Sequence, residues 1–376
     1  MRIKTAIIAL LLVFSACASP ATTTTAPEAA PGTSSPIPSS PSPEANTAVA
    51  TTEPTSSPTP TPTNIPAPLL SVPVWKTTLP LPKGFEYEYA PESLAWSPDS
   101  KTFASGSLSG VVAIWDRNAE KMIHSMWVRR ELVYSLAYSP DGQRLASGDG
   151  EGVIQVWTSE GTLLKTMEGH TNSIIGMAWS PDSERLYTYS YDNTFRVWDM
   201  TTYKELLSIT GEFTPKGGSN FMDMTLSPDG NTIAMALFNQ AVEIRDPATG
   251  DIRQTLTGFS NRVQKVSFSP DGGHLFVRTY DGQMSLLDTR NWQVQWNAVG
   301  LAGPVYSVAW SPDGNFLATG TLNEQAVIWN AFDGSLAHKL QRSGVEAISW
   351  SPDGDLLAFA TADGIDLWSI EIQLQK

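Results

Sequence analysis

Short apolar alternations recur along the chain, and each runs into the same turn. Leu94-Ala95-Trp96, Leu136-Ala137-Tyr138, Met177-Ala178-Trp179, Met224-Thr225-Leu226, Val266-Ser267-Phe268, Val308-Ala309-Trp310 and Ile348-Ser349-Trp350 are all followed by Ser-Pro-Asp. Each alternation predicts a strand with one bulky and one small face, both buried if sheets stack bulky face to small. The turn serines are Ser97, Ser139, Ser180, Ser227, Ser269, Ser311 and Ser351, so successive copies stand 42, 41, 47, 42, 42 and 40 residues apart. A period in this range signals a repeat architecture. Proline suits the first central position of a type I turn, Asp the second, and a following glycine accepts the left-handed conformation of a bulged hairpin. Five copies have that glycine; Ser100 and Ser183 replace it in the other two.

The pattern continues beyond the turn. A second strand such as Phe103-Ala104-Ser105-Gly106-Ser107 leads through a polar turn to a third, which ends at Trp115, Trp157, Trp198, Trp329 or Trp368. The tryptophan lies 16 residues after the turn aspartate in repeats one, two, three and six, and 15 after it in repeat seven. Arg245 and Leu287 hold this place in repeats four and five. A fourth strand follows, for example Leu163-Leu164-Lys165-Thr166-Met167.

Four short strands per unit, with Trp-Asp endings, resemble the WD-repeat (WD40) β-propellers. The resemblance implies an all-β fold: a seven-bladed β-propeller of four-stranded antiparallel blades over residues 72–376, expected as a monomer. Repeat three matches most fully. Its His170, Thr188, Asp192 and Trp198 fall where the family places a structural tetrad, in which His170 donates to Asp192 and bonds Thr188, and Thr188 meets the Trp198 indole. Arg129, Phe259 and Leu301 stand where other repeats would carry the histidine. Only eight residues follow Trp368, too few for a turn and a full strand. The segment Val74 to Leu79 is therefore expected to supply the outer strand of the last blade and remove an exposed edge. Ile370, Ile372 and Leu374 alternate and are expected to prolong the third strand or add beside it.

The N-terminal part reads differently. Residues 1–18 have the form of a signal peptide: Arg2 and Lys4, an apolar run from Ala6 to Phe14, then Ser15-Ala16-Cys17. Cys17 is the single cysteine of the chain, and its setting resembles a bacterial lipoprotein lipobox, which implies a lipidation cysteine and a membrane anchor. Phe14 departs from the usual leucine, and Ala16-Cys17-Ala18 also fits an ordinary secretion site. Either reading exports the domain, to the cell envelope or beyond, and it then folds without disulfides. Residues 19–71, rich in Ser, Thr and Pro, lack the apolar side chains to offset chain entropy. They are expected to form a disordered tether ahead of the propeller.

Chemistry-bearing motifs are scarce. The formal charge is −14, and residues 1–68 hold three acids and two bases, which leaves about −13 on the propeller. That balance argues against nucleic acid. The four histidines lack metal-ligand spacing, so no metal, cofactor or catalytic residues are expected. The turn between the second and third strands lies at the same end as His170. Before its polar residue stand Leu108, Tyr191, Phe238, Tyr280 and Leu322 in five repeats. An apolar arc on an acidic surface points to a binding face for a protein partner, and hence to an interaction scaffold rather than an enzyme. Two other functions stay open: a glycan- or peptidoglycan-binding propeller that stacks sugars on Tyr191 and Tyr280, and a propeller hydrolase or lyase. A related propeller family with Ser-Pro-Asp-Gly repeats lacks Trp-Asp endings. Arg129-Arg130 and Arg262 lie in equivalent loops and suggest a basic rim, and residues 212–220 form an insertion opening onto the same end.

Overall fold

The computed structural model describes residues 69–80, 91–118, 120–128, 132–211, 221–299, 305–321, 325–342 and 344–373. Cys17, Leu322, Leu374, the arginines at 129 and 130, the tether up to residue 68 and the insertion at 212–220 lie outside them. All described residues belong to one compact unit, Asn64–Lys376.

The architecture is all-β. Seven four-stranded antiparallel sheets form the blades, and six of them follow the chain without a crossover. In blade 1 the strands are Pro91–Trp96, Thr102–Ser107, Val111–Asp116 and Lys121–Trp127. The first strand of every blade lies against the first strand of the next, and that of blade 7 lies against that of blade 1, so the ring closes. First strands are innermost and fourth strands form the rim.

Blade 7 is completed as the terminal spacing predicts. Val74–Pro80 pairs antiparallel with Gly364–Ser369, with Trp75 opposite Trp368 and Leu79 opposite Ile365. Leu79 is buried among Trp96, Phe103, Ile365 and Leu367. The C-terminal expectation is corrected: Ile372–Gln373 neither prolongs nor flanks the third strand, because it pairs with Leu69–Leu70 in a separate two-stranded sheet. Ordered chain thus begins before residue 72. The polar Ser369 and Glu371 surround a break in the ladder, and Ser71 donates from its N–H and its hydroxyl to the Glu371 carbonyl at 2.9 and 2.7 Å.

The small face of one blade receives the bulky face of the next. A Cβ on Gly106 would lie 2.5 Å from Val133, one on Gly148 2.8 Å from Ile174, and one on Gly320 2.6 Å from Val345. Each glycine is on a second strand and each partner begins the next first strand, so even a methyl group would push blades apart.

The repeated turn makes the same bonds in each copy. Ser97 Oγ donates to Asp99 Oδ1 at 2.7 Å and accepts from Thr102 N–H at 3.0 Å, and the serines of the other copies do the same within 0.2 Å or so of these distances. The residue after Asp is left-handed throughout, at φ 60° and 63° for Ser100 and Ser183. Their hydroxyls explain why these two are not glycine. Ser183 Oγ accepts the Asp141 N–H at 3.1 Å, and Ser100 Oγ accepts the Asp353 N–H at 3.0 Å, each linking adjacent blades. At the closing seam Arg117 also pairs with Asp353 and Asp355.

Two glycines of this turn separate backbone conformation from blade spacing. Gly230 and Gly314 have φ of 73° and 72°, but a Cβ would lie 2.7 Å from Pro181 at the first and 3.8 Å from Pro270 at the second. Alanine at either is expected to cost about 1 kcal/mol for the left-handed backbone. Gly230→Ala should add about 1 kcal/mol more from overpacking. Thermal melting of the two variants should therefore place Gly230→Ala below Gly314→Ala; equal melting would contradict the interblade contact.

Candidate binding face

In blade 3 the loop before the first strand meets the turn between the second and third strands. His170 Nδ1 lies 2.9 Å from Asp192 Oδ2 and Nε2 lies 2.8 Å from Thr188 Oγ1. The Trp198 indole N–H donates to the same Thr188 oxygen at 2.9 Å. With Nδ1 protonated, His170 donates to Asp192 while Nε2 accepts the Thr188 hydroxyl. Burial would raise the Asp192 carboxyl, but hydrogen bonds from His170, Thr194 and the Thr171 N–H outweigh it and hold it well below the usual range. His170 and Thr188 are buried; the group braces the loops and presents nothing to a ligand. Among the described residues, blades 1, 2 and 6 keep the indole bond of this group, from Trp115 to Ser105, Trp157 to Ser147 and Trp329 to Thr319. In blade 7 Phe359 takes the hydroxyl position, edge-on to Trp368, whose buried Nε1 has no hydrogen-bond partner among the described residues.

The arc residues occupy the corresponding turns of their blades. Tyr191 is 48% exposed, while Leu108, Phe238 and Tyr280 are half-buried. Tyr191 N–H donates to Ser173 O, and Tyr280 N–H to Arg262 O, both at 3.0 Å, clipping each turn to the loop entering its own blade. Arg262 is not merely solvated, as an isolated surface arginine would be. Its guanidinium stands 3.8 Å from the Tyr280 ring centroid and 5.1 Å from that of Phe238, across the boundary of blades 4 and 5. Cation–π contacts of this kind hold the side chain in place. The Arg262 Nε is buried without a hydrogen-bond partner among the described residues. The arc is therefore a mixed surface: an open tyrosine on blade 3 beside an aromatic–arginine–aromatic stack on blades 4 and 5.

A second group at the same end has no counterpart in the sequence reading. In all seven first strands the pairing register jumps at the second residue, the mark of a β-bulge. The bulge sets Glu92, Tyr134, Ile175, Met222, Gln264 and Glu346 half-buried on the innermost strands, at the mouth of the ring. A break in strict alternation one residue before the patterned triplets was the available signal. Nearby, Asp223 accepts the Tyr189 hydroxyl at 2.9 Å and the Val266 N–H at 3.0 Å, and lies 3.6 Å from Lys265 Nζ. The fully buried Arg278 donates to Gln264 at 2.6 Å. Among the described residues no group of three His, Cys, Asp or Glu is placed to hold a metal ion.

Glu92 and Glu346 face each other across the closing seam. Burial, then the charge of Glu346, pushes Glu92 up to about 8, and burial pushes Glu346 up to about 7, from an ordinary 4.5. A carboxyl with a raised folded pKa binds its proton more tightly when folded. Its contribution is complete below the unfolded pKa and is lost as pH rises through 7 to 8. The pair of changes Glu92→Gln and Glu346→Gln should thus stabilise the propeller by about 2 kcal/mol at about pH 8 and little at about pH 5. Melting curves at the two pH values check this; a gain of equal size at both would contradict it.

The family model described as WD domain, G-beta repeat matches residues 90–116, 124–158, 161–199, 299–330 and 334–365. No curated protein matches the chain. The matched stretches fall on blades 1, 2, 3, 6 and 7, those with tryptophan at the end of the third strand; blades 4 and 5, with Arg245 and Leu287 there, lie outside them. The chain carries WD40 repeats, built into a closed seven-bladed β-propeller.

Proposed function

We propose that this protein is an exported, lipid-anchored scaffold that grips a partner protein on the His170 end of the ring and catalyses no reaction. WD40 propellers generally serve as protein-interaction scaffolds. The observation that carries the reading is the stack of Phe238, Arg262 and Tyr280 beside the open Tyr191. Aromatic and arginine side chains are the residue types that dominate binding energy at interfaces. The Arg262 side chain, already oriented by two rings, loses little freedom when it donates to a partner. The acidic propeller supports a protein partner over nucleic acid. The signal-like segment, Cys17 and the Ser/Thr/Pro-rich tether support a domain held away from a membrane surface.

Two experiments test the parts separately. In intact cells, surface cross-linking should capture a specific protein with the wild-type chain and lose it with Tyr191→Ala/Phe238→Ala/Tyr280→Ala, after melting has shown that the triple variant is folded. Persistence of the same cross-links would move the interface off this face. Cys17→Ser should shift the mature protein from the detergent phase to the aqueous phase on detergent partitioning. An unchanged distribution would reject the lipid anchor and leave the binding face untouched.

A further inference from the structure

Blade 5 departs from the blade 3 tetrad at two positions: the smaller Leu287 replaces Trp198, and Phe259 replaces His170. The space this leaves is visible at the glycine before each of them. A Cβ on Gly169 would lie 2.8 Å from the Trp198 ring, but one on Gly258 would meet no atom within 4 Å. Blade 4 solves the same substitution differently. Arg245 folds back to donate to Gly250 O at 2.6 Å and pairs with Glu243. Leu287 is too short to fill the site, and a cleft of about 300 Å³ remains on the rim between the fourth strand of blade 4 and the third and fourth strands of blade 5. That volume is at the lower end of small-ligand sites.

The lining is unusual for so acidic a chain, because it contains no charged side chain. Gln254, Gln283, Gln293, Asn291 and Asn297 bring five amides to the cleft beside the indole of Trp292. Ser285 Oγ donates to Asn297 Oδ1 at 2.6 Å, which fixes that amide with its carbonyl toward the third strand. Trp292 is held at a backbone cost. Its φ is 59°, in a turn position that is glycine in blades 4 and 6, Gly250 at 73° and Gly334 at 70°. The three positions are equivalent: each N–H donates to the carbonyl four residues earlier, at 2.7, 2.8 and 2.9 Å. Blades 1 and 3 also hold left-handed side chains at this position, Glu120 at 51° and Tyr203 at 57°, so what sets Trp292 apart is that its indole, packed on the core of blades 4 and 5, also lines the cleft.

We infer that this cleft binds a neutral saccharide. Side-chain amides donate and accept side by side, matching pairs of neighbouring hydroxyls. A half-buried indole supplies an apolar surface for the C–H face of a sugar ring. With no lysine, arginine or histidine in the lining, a phosphate, nucleotide or acidic sugar would be left without a counter-charge. The site is built mainly from rim strands, with only Thr257, Gly258 and Phe259 in the loop that carries Arg262, and it does not rest on the scaffold reading. It also differs from sugar stacking on Tyr191 and Tyr280, since the Tyr280 ring is occupied by Arg262.

The test is calorimetric titration of the full chain with cellotriose, chitotriose and mannotriose, alongside two variants. Trp292→Gly restores the residue type that the turn favours but removes an indole packed on the core of blades 4 and 5; titrated below its melting temperature, it should bind at least about tenfold more weakly. Leu287→Trp rebuilds the side chain of the matched blades, fills the cleft and should abolish binding. If Leu287→Trp fails to fold, the exposed pair Gln254→Ala/Gln293→Ala takes its place with the same expected loss. Binding of at least one trisaccharide by wild type, lost in these variants, supports the site. Absence of binding to all three, or binding unchanged in the variants, overturns it.

Discussion

The structure depends on contact between the small face of one sheet and the bulky face of the next. A four-stranded sheet cannot cover either of its own faces, and here each is covered only by a neighbouring blade. The approach is close enough that Gly106, Gly148 and Gly320 leave no room for a Cβ. Such packing has no natural end, so the chain must meet itself. Val74–Pro80 does this, placing Leu79 against the first strand of blade 1 and completing the blade to which Trp368 belongs. A chain that closes its own ring leaves the third strand of blade 7 without an unpaired outer edge.

Much of this was legible because the repeat is written in local chemistry. The Ser-Pro-Asp turn, the alternating triplets and the tryptophan spacing each report a strand boundary, and the shortfall after Trp368 reports the missing strand. The end sheet of Leu69–Leu70 with Ile372–Gln373 was not legible. Alternation shows only that Ile370 and Ile372 share a face; which strand they meet is set by where the closing segment begins. The bulges at Glu92 and Glu346 were hidden for a related reason. A single extra residue barely disturbs a short alternation, yet it turns two carboxyls toward one another at the ring mouth.

The turn residues of the proposed binding face were legible in position, and their contacts were not. The turn pattern located Tyr191, Phe238 and Tyr280 on one end, since that follows from strand order alone. It gave no sign that Arg262 would bridge two blades, because the loops approach each other only through the stacking of their sheets. The rim cleft was harder still. It arises from what Leu287 does not fill, and its effect is spread over residues up to 43 positions apart, from Gln254 to Asn297. The Arg262 stack and the cleft both lie where the period weakens. Blades 1, 2, 3, 6 and 7 have the tryptophan and are matched by the family model, whereas blades 4 and 5 have Arg245 and Leu287 in its place. A fold built from repeated scaffolding can vary single blades, and so host different surface chemistry.

Recognition concentrated on blades 3, 4 and 5 of the ring is the central proposal, and hydrogen–deuterium exchange tests it most directly. Backbone exchange of the full chain would be compared alone and in its cross-linked complex from intact cells. The claim predicts slowed exchange in the turns around Tyr191, Phe238 and Tyr280 and in the loop carrying Arg262, with the matching turns of blades 1, 2 and 7 unchanged. Slowed exchange confined to blades 1, 2 and 7, or to the Ser-Pro-Asp end of the ring, would contradict it.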